Sequence, residues 1–530
     1  MTNSVTEFSA DTECFLITGS NTTEAHPLVA SHVMRAKERG AKIIVVDPRN
    51  IQISRLADIH LRQRPGTDVA WINGMMNVII SEGLQDKDYV KQRTEGFEEL
   101  AQVVQDYTPE KVEQIAGIPA DDLRAAARMY ATTKPAALLY AMGITQHTTG
   151  TDNVKSCANL ALLTGNVGIA GGGVNPLRGQ NNVQGACDLG GLPNVYPGYQ
   201  IVTVAPIKDK FEQAWGVSGL SDQVGKTVTE MVAWAGDGSM RALYVLGENP
   251  LVSDPDVNHA RHCLQALELL IVQDLFMTET AQLADVVLPG ASFAEKEGTF
   301  TGTDRRVQRV RAAIEPIGDS KPDWQIICAL AHQMGASGFA FQNPSQVMDE
   351  IAELTPIYGG VSYERLEELG SLQWPVPTAD HPGTPYLHKG RFSRGLGQFH
   401  AIPFMEAQEL PDDEYTYILT TGRMMFHFHT GSMTRRTAKL DAEVPEAYVE
   451  IHPKDAKRIG LNGSGRVRVT SRRGQIELKT RVTRDIRPGV VFIPFHFAEA
   501  AANALTNSAL DPIAKIPEYK VCAVKVEPID

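Results

Sequence analysis

The N-terminal part of the chain alternates short apolar runs with amphipathic segments. Residues 15–18 form an apolar run that predicts a buried strand, and Gly19 begins the turn that follows it. Residues 28–38 carry apolar positions at helical spacing and end near Gly40, which predicts a helix before a second strand at 42–46. This strand–helix–strand order predicts a parallel sheet with right-handed crossovers.

Similar patterns continue through the middle of the chain. Further helices are predicted at 69–82, at 109–117 behind a Thr108-Pro109 start, at 120–132, at 323–334 and at 345–354. A second α/β segment is predicted at about 230–310. The stretch 372–390 is rich in Pro, Gly and His, so we predict a linker or a long ordered loop there.

The pattern changes after residue 414 to short strands separated by glycine-containing turns. Strands are predicted at 415–419, 466–470, 475–482 and 490–494. We therefore predict an α/β fold with two related Rossmann-like domains and a C-terminal β-barrel. The predicted domains are 1–180, 181–400 and 401–530.

A weak internal duplication relates the two α/β segments. Each copy has a glycine after its first strand and two later aspartates, namely Gly19, Asp47 and Asp58 in the first copy and Gly247, Asp274 and Asp285 in the second. The glycine and the first aspartate are 28 residues apart in one copy and 27 in the other, and the two aspartates are 11 apart in both. Turn chemistry alone can produce this pattern, but two matched copies favour two similar nucleotide-like ligands.

Bulk composition excludes several classes of protein. The net charge of −13 argues against binding to nucleic acid through phosphate neutralisation, and no apolar run approaches the length of a membrane span. The six cysteines include no C-x-x-C pair, which argues against a zinc site or an iron–sulfur cluster built from this chain alone. Reduced, mostly buried thiols in a cytoplasmic or otherwise reducing setting are expected.

The run from Gly173 to Asp188 concentrates polar side chains. It is predicted to be neither helix nor strand, because it is rich in glycine and amide residues. One Arg, two Gln and three Asn give it a dense set of hydrogen-bond donors. A structured surface loop is the simpler reading, and a ligand-binding loop is the alternative.

This run resembles the characteristic loop of formate dehydrogenases in the molybdopterin oxidoreductase superfamily, and the resemblance extends over essentially the whole chain. Other matching segments are Val46-Asp47-Pro48-Arg49, Arg93 to Phe97, Leu163 to Asn166, Gln273 to Ala281, Glu297 to Phe300, Thr430 to Arg435 and Pro517 to Lys520. The resemblance implies a bis-molybdopterin guanine dinucleotide cofactor carrying molybdenum or tungsten. It also implies that the C-terminal barrel is of the double-psi type.

The resemblance implies cofactor contacts in all three predicted domains. Gly19, Asn21, Asp47 and Arg49, together with Gly143, would serve one dinucleotide, and Gly247, Asn249, Asp274 and Thr278 the other. The barrel would contribute Gly422, Arg423, His429, Ser432, Asn503, Tyr519 and Lys520. No metal ligand is assigned within this chain.

The catalytic residues implied by the resemblance are Arg178 and Gln180. A fixed guanidinium suits a carboxylate substrate, because it offers charge-assisted, bidentate hydrogen bonds. The implied reaction is oxidation of formate to carbon dioxide, or the reverse, with electrons passed to an iron–sulfur or NAD-linked subunit. A nitrate reductase-like enzyme and a metal-free structural or electron-transfer paralogue are the alternatives.

The family's metal-ligating selenocysteine or cysteine, the histidine after it and the iron–sulfur cysteines are not found in this sequence. We expect them in a segment before Met1, with an in-frame UGA codon as the simplest reason for a start at that position. The chain alone is therefore expected to be incomplete and inactive.

Overall fold

The computed structural model describes residues 1–461, 463 and 465–529. Within them the strands, numbered β1 to β21 in chain order, are Cys14–Thr18, Lys42–Val46, Ile59–Leu61, Thr94–Glu95, Ala136–Tyr140, Val174–Pro176, Val195–Tyr196, Gln200–Ile201, Ala242–Leu246, Leu269–Asp274, Val286–Pro289, Gly298–Thr301, Arg306–Val310, Ser371–Gln373, Gly397–Gln398, Tyr417–Gly422, Tyr448–Ile451, Arg466–Thr470, Gln475–Val482, Val490–Pro494 and Cys522–Ile529.

The α-helices of the same residues, numbered α1 to α20, are Val5–Ala10, Thr22–Ala25, Pro27–Glu38, Asp68–Ser81, Lys87–Arg93, Phe97–Val104, Pro109–Ala116, Ala120–Thr132, Met142–Thr145, Gly150–Leu163, Val183–Asp188, Ala205–Trp215, Val228–Gly236, Pro250–Ser253, Val257–Gln265, Asp323–Gln333, Pro344–Leu354, Tyr363–Leu369, Ala438–Glu443 and Pro453–Arg458. None of these helices is long and apolar enough to cross a membrane.

The described residues form two compact units. The first contains Met1–Leu177, Val252–Asn258 and Tyr386–Asp530, and the second contains Arg178–Leu251 and His259–Pro385.

The first unit begins with a five-stranded sheet in the order β3-β2-β1-β5-β6, and all of its neighbouring strands are parallel. Every residue of β1 and β5 is buried, as expected for parallel strands that are covered on both faces. The predicted strands and crossover helix are confirmed here. All the carboxyl ends of these strands lie at one edge of the sheet.

Helix α7 shows how closely local signals set the ends of an element. The Thr108 side chain accepts a hydrogen bond from Lys111 N at 3.4 Å, and Pro109 occupies the first turn. Gly117 then ends the helix in the left-handed conformation, with φ at 67°. The predicted start and end are both confirmed.

The C-terminal part of the first unit is a closed six-stranded barrel in the order β16-β20-β17-β19-β18-β21. Burial alternates along β19, whose inward side chains include Ile476 and Leu478, whereas β20 is buried throughout. The predicted barrel is confirmed, and three of its strands have the predicted bounds.

The second unit contains a three-stranded parallel sheet in the order β11-β10-β9. An antiparallel sheet, β12-β13-β14, lies in the same unit. Val245, Leu270 and Val272 make a small apolar core on one face of the parallel sheet. Both parallel sheets therefore have the strand–helix–strand connection that the sequence predicts.

The internal duplication extends to hydrogen bonds. Asp47 Oδ1 accepts from Arg49 N at 2.9 Å, and Asp274 Oδ1 accepts from Phe276 N at 3.1 Å. Each aspartate therefore makes the same tight turn at the end of the second strand of its copy.

The second pair of aspartates is also equivalent. Asp58 Oδ2 accepts from Ile43 N at 2.8 Å, and Asp285 Oδ2 accepts from Leu270 N at 2.7 Å. In each copy this carboxylate holds the start of the second strand to the segment that leads into the third. The repeat noticed in the sequence is therefore a repeat of backbone structure.

The polar run that ends at Asp188 is wrongly predicted as free of regular structure. It contains strand β6, Val174–Pro176, and helix α11, Val183–Asp188. Asn182 precedes the helix in the left-handed conformation, and Gln184 and Asp188 are buried with polar partners. The polar composition led to the wrong prediction because the buried side chains of Gln184 and Asp188 hydrogen-bond to other polar groups inside the second unit.

Candidate functional site

Two glycines bring neighbouring loops together at the carboxyl edge of the five-stranded sheet. Gly143 N donates to Gly19 O at 3.0 Å. A Cβ atom on Gly143 would lie 2.5 Å from Gly19 Cα, and Gly19 has a positive φ of 55°. Only glycine allows this approach, which brings the loops after β1 and β5 into contact. The predicted residue Asn21 directly precedes helix α2 at the same edge.

Arg49 lies between this edge and the barrel. Its Nη2 donates to Glu450 Oε2 at 2.9 Å, and its Cζ lies 3.5 Å from the Phe492 ring centroid. Arg49 Nε is buried and has no hydrogen-bond partner among the described residues. Burial raises the pKa of the neighbouring Asp47 to about 6, although the Arg49 backbone N–H and charge oppose the shift.

Lys520 places a second cation in this region. Its Nζ donates to Thr421 O at 2.7 Å, and burial lowers its pKa to about 7 despite the opposing charge of Asp47. No carboxylate of the described residues lies within ion-pair distance of Lys520. A buried ammonium group without a close counter-ion favours an anionic ligand.

Asp68 and His147 join the same region, and the sequence reasoning missed both. His147 Nε2 lies 2.9 Å from Gly143 O and 3.7 Å from Asp68 Oδ2. Burial raises the pKa of Asp68 to about 6 and lowers the pKa of His147. His147 Nδ1 is buried with no partner among the described residues. The sequence signal that was available for Asp68 is the Pro65-Gly66 turn, which precedes its helix.

Arg423 begins the irregular segment after Gly422, the last residue of β16. Its Nη1 lies 3.5 Å from Ala25 O at the end of α2, and its Nε is buried without a partner among the described residues. Burial lowers the pKa of His429, and the positive charge of Arg423 lowers it further. These three predicted residues therefore lie together, beside the sheet edge.

His496 holds the segment of His429 in place. The Nδ1 of His496 donates to His429 O, and its Nε2 accepts from Met424 N at 3.1 Å. This pair of contacts fixes a neutral tautomer, and burial lowers the pKa of His496 to about 3. The predicted residue Ser432 follows in this segment, with its Oγ 2.9 Å from Thr430 Oγ1.

Asn503 and Tyr519 hold the short segment Val252–Asn258 in the first unit. Asn503 Nδ2 donates to Val252 O and Ser253 O, both at 2.9 Å, and Tyr519 OH donates to Ser253 O at 2.8 Å. Asn503 Oδ1 is buried with no partner among the described residues. The amide therefore presents an unused acceptor.

The four residues predicted to bind the second dinucleotide gather at the carboxyl edge of β9 and β10, in the second unit. Gly247 N donates to Gln273 O at 2.8 Å. Asn249 Oδ1 accepts from Thr280 Oγ1 at 2.7 Å, and Thr278 Oγ1 accepts from Ala281 N at 3.2 Å. Asp274 adds the turn hydrogen bond described above. All four predicted residues therefore make hydrogen bonds that hold the backbone at this edge of the sheet.

Arg178 is half-buried in the second unit. Its Nε donates to Gln184 Oε1 at 2.9 Å, and its Nη1 lies 3.6 Å from Cys187 Sγ. Gln180 is exposed, and its carbonyl accepts from Val183 N at 3.5 Å. The structure thus orients the Arg178 side chain through Gln184, which sequence reasoning did not single out.

The residues of the first unit fit a large polar ligand with phosphate groups. Their buried atoms without partners include the Nε atoms of Arg49 and Arg423, His147 Nδ1 and Asn503 Oδ1. Cationic groups suit phosphates, and carboxylates suit the N–H groups of a guanine or a pterin. This donor and acceptor set is larger than a simple carboxylate or metal ion requires.

Two family models match the chain. The model described as "Molybdopterin oxidoreductase" matches residues 1–333, and "Molydopterin dinucleotide binding domain" matches residues 417–523. The first model covers both candidate regions outside the barrel, and the second covers most of the barrel.

Several curated proteins are similar along the chain. It is 51% identical over 532 residues to "F420-dependent formate dehydrogenase 1 subunit alpha" of Methanococcus maripaludis, covering 100% of this chain and 78% of that protein. It is 45% identical over 534 residues to "Formate dehydrogenase H" of Escherichia coli, covering 100% of this chain and 74% of that protein.

A solved structure shares the fold. Acetylene hydratase from Pelobacter acetylenicus superposes with a TM-score of 0.78 at 24% identity, covering 98% of this chain and 78% of that one. The first family model and the full-length similarity to formate dehydrogenase alpha subunits together show that this chain belongs to the molybdopterin oxidoreductase family.

Proposed function

We propose that the chain is the cofactor-binding part of a formate dehydrogenase alpha subunit, which oxidises formate to carbon dioxide or runs the reverse reaction. Oxidation releases one proton and two electrons from each formate ion. The observation that carries the proposal is the guanidinium of Arg178, oriented by Gln184 in a chain whose relatives are named formate dehydrogenases. Those names favour formate over the nitrate-like alternative.

The proposed cofactor is a bis-molybdopterin guanine dinucleotide with molybdenum or tungsten. When bound, it supplies the redox centre that accepts the two electrons. Arg49, Arg423 and Lys520 are suited to its phosphates, because each is buried or half-buried and positively charged. Asp47 and Asp274, at equivalent turns in the two copies, are suited to guanine N–H groups.

The proposal extends to the architecture. The two parallel sheets are inferred to be Rossmann-like dinucleotide-binding domains, and the barrel is inferred to be of the double-psi type. The domains 1–180, 181–400 and 401–530 are the proposed functional divisions. The six free cysteines are compatible with a reducing compartment, which supports a cytoplasmic location.

Arg178 is assigned the role of holding formate. A guanidinium can donate two parallel hydrogen bonds to a carboxylate, which leaves the formate C–H as the reactive end. Half-burial strengthens this contact, because water competes less effectively for the charges. Gln180, which is exposed and two residues later, is assigned a secondary contact with the substrate.

We infer that the active protein needs further polypeptide to cover the parallel sheet of the second unit. One face of strand β9 is open, because Ala242, Tyr244 and Leu246 are exposed whereas Val245 is buried. Tyr244, Leu246 and Val286 of that sheet are 36%, 46% and 41% exposed. Parallel sheets are normally covered on both faces. The segment carrying a metal ligand and iron–sulfur cluster, and an electron-transfer subunit, are further parts of this proposal.

The test of the proposed function is Arg178→Ala in the complete, cofactor-loaded subunit. Formate turnover is expected to fall at least about tenfold, since a charge-assisted contact contributes roughly 1.5–3 kcal/mol. Metal and pterin contents should remain normal. Arg241→Ala is the matched control, because Arg241 pairs with Glu268 on the surface of the same unit.

Three results would contradict the proposal. Wild-type turnover of formate in Arg178→Ala rejects the assigned role of Arg178. Reduction of nitrate but no turnover of formate by the unmodified protein supports the oxyanion alternative. Purified complete subunit with neither molybdenum nor tungsten supports the metal-free alternative.

A further inference from the structure

We propose that Gln184 and Asp188 are positioning residues that fix the orientation of the Arg178 guanidinium. The inference rests on the proposed function of Arg178 as the group that holds formate. It assigns roles to two side chains of helix α11 that the resemblance and the comparisons leave without one.

The contacts form a continuous path from Arg178 into the interior of the second unit. Arg178 Nε donates to Gln184 Oε1 at 2.9 Å, and Gln184 Nε2 donates to Asp188 Oδ1 at 2.7 Å. Gln184 and Asp188 are four residues apart, so they lie on the same face of the helix. Gln184 is 4% exposed and Asp188 is fully buried.

Asp188 is held by more than Gln184. Tyr199 OH donates to its Oδ1 and Tyr358 OH donates to its Oδ2, both at 2.7 Å. Burial raises the pKa of Tyr199 and of Tyr358, so both hydroxyls remain donors. Thr301 Oγ1 lies 2.8 Å from Tyr358 OH and ties the hydroxyl to strand β12. The carboxylate therefore accepts hydrogen bonds from three side chains, those of Gln184, Tyr199 and Tyr358.

The Asp188 carboxylate fixes which way round the Gln184 amide is held. Rotating the amide by half a turn would place its oxygen against the Asp188 carboxylate and its N–H groups against the Arg178 guanidinium. Both new contacts would be repulsive, so Asp188 fixes which amide atom faces Arg178. A guanidinium held at Nε has a restricted plane, which is the geometry that bidentate binding to a carboxylate needs.

The first test measures substrate binding. In the complete subunit, Gln184→Met and Asp188→Asn are expected to raise the KM for formate roughly tenfold, with normal metal and pterin contents. Gln184→Met preserves side-chain length while removing the three side-chain hydrogen bonds of Gln184, to Arg178, Asp188 and Tyr199. Gln223→Met is the control, since Gln223 is an exposed glutamine of the same unit whose hydrogen bonds, among the described residues, are to its surface neighbours Ser221 and Asp222.

The second test uses pH and separates positioning from a merely structural role. In Gln184→Glu, the deprotonated side chain can still accept from Arg178 but repels Asp188. Its protonated form can donate to Asp188 while its carbonyl accepts from Arg178, as Gln184 does. The KM of this variant should therefore approach the wild-type value as pH falls, whereas the KM of Gln184→Met should show no such recovery.

The third test does not depend on turnover. Phenylglyoxal labels arginine guanidinium groups, and mass spectrometry reports the rate at Arg178 alone. That rate should rise several-fold in Gln184→Met and Asp188→Asn but not in the Gln223→Met control. Unchanged labelling rates, or a KM that does not change with Gln184, would overturn the positioning roles. Changed labelling rates in a protein that does not oxidise formate would reject the proposed function and retain the positioning contact.

Discussion

Arg49 and Glu450 form a buried ion pair between the end of strand β2 and barrel strand β17. The distance from Nη2 to Oε2 is 2.9 Å, and the Glu450 side chain is only 4% exposed. The Phe492 ring covers one face of the guanidinium. The pair therefore fixes a proposed phosphate-binding cation and connects two parts of the first unit.

Glu450→Gln is expected to lower the free energy of unfolding by about 3–5 kcal/mol, because it leaves the Arg49 charge buried without a full counter-charge. Chemical denaturation of the purified chain measures the change. The double variant Arg49→Met/Glu450→Gln should recover most of the loss. Glu477→Gln removes an exposed barrel ion pair with Arg468 and should cost less than about 1 kcal/mol. Equal losses of unfolding free energy in Glu450→Gln and Glu477→Gln would contradict this prediction.

Lys520→Met is expected to stabilise the cofactor-free chain and to weaken cofactor retention. The pKa of Lys520 is about 7 in the folded chain and about 10.4 when unfolded, so the unfolded state binds more protons between those values. Wild-type stability should therefore rise with pH across this window. The advantage of the variant should be largest below pH 7 and should shrink towards pH 10.

Melting temperatures between pH 6 and pH 10 test this expectation. Lys454→Met alters an exposed lysine and retains Lys520, so its melting temperature should follow that of the wild type at every pH. A Lys520→Met variant that is less stable at pH 6, or that retains normal pterin, would show that Lys520 serves the fold rather than an anionic ligand.

Asp274→Ala is expected to lower pterin content more than it lowers the stability of the complete subunit. Since Asp274 also accepts a turn hydrogen bond from Phe276 N, Asp274→Asn is the informative companion. The asparagine keeps an acceptor for the turn but loses the carboxylate proposed to bind guanine. Loss of pterin in both variants, read by fluorescence after oxidation, supports the assignment. Normal pterin with a lowered melting temperature in the alanine variant supports a turn role alone.

Leu246→Cys is expected to report on the polypeptide proposed to cover the second sheet. Leu246 is 46% exposed, so a cysteine there should react readily with a maleimide in the 530-residue chain. The same position should be protected when the chain is expressed with the further segment. Leu28→Cys, at a position that is 80% exposed in the first unit, should react in both forms. Reaction of Cys at 246 in both forms would contradict the proposal.

Local sequence signals predicted the fold well where they act through the backbone. The Thr108 cap, the terminating Gly117 and the paired aspartates each fix a turn or a helix end within a few residues of chain. The geometry of these turns and helix ends depends little on packing against distant residues, so the local sequence pattern alone was sufficient to predict them.

Contacts between distant residues were harder to predict. The partners of Asp188 include Tyr358, 170 residues away, and Arg49 pairs with Glu450, 401 residues away. No local pattern marks such pairs. The same reason explains the error at helix α11, whose polar residues appear unsuited to burial until their partners are known.

The equivalent turns at Asp47 and Asp274 have a consequence for the surface that each copy presents. In each turn the residue two positions later contributes only its backbone N–H, and that residue is Arg49 in one copy and Phe276 in the other. The turn therefore tolerates a cation or an aromatic ring without altering the strand end that it caps. The same backbone turn therefore carries a positively charged side chain in one copy and an aromatic ring in the other, so the two copies share a backbone but differ in surface charge.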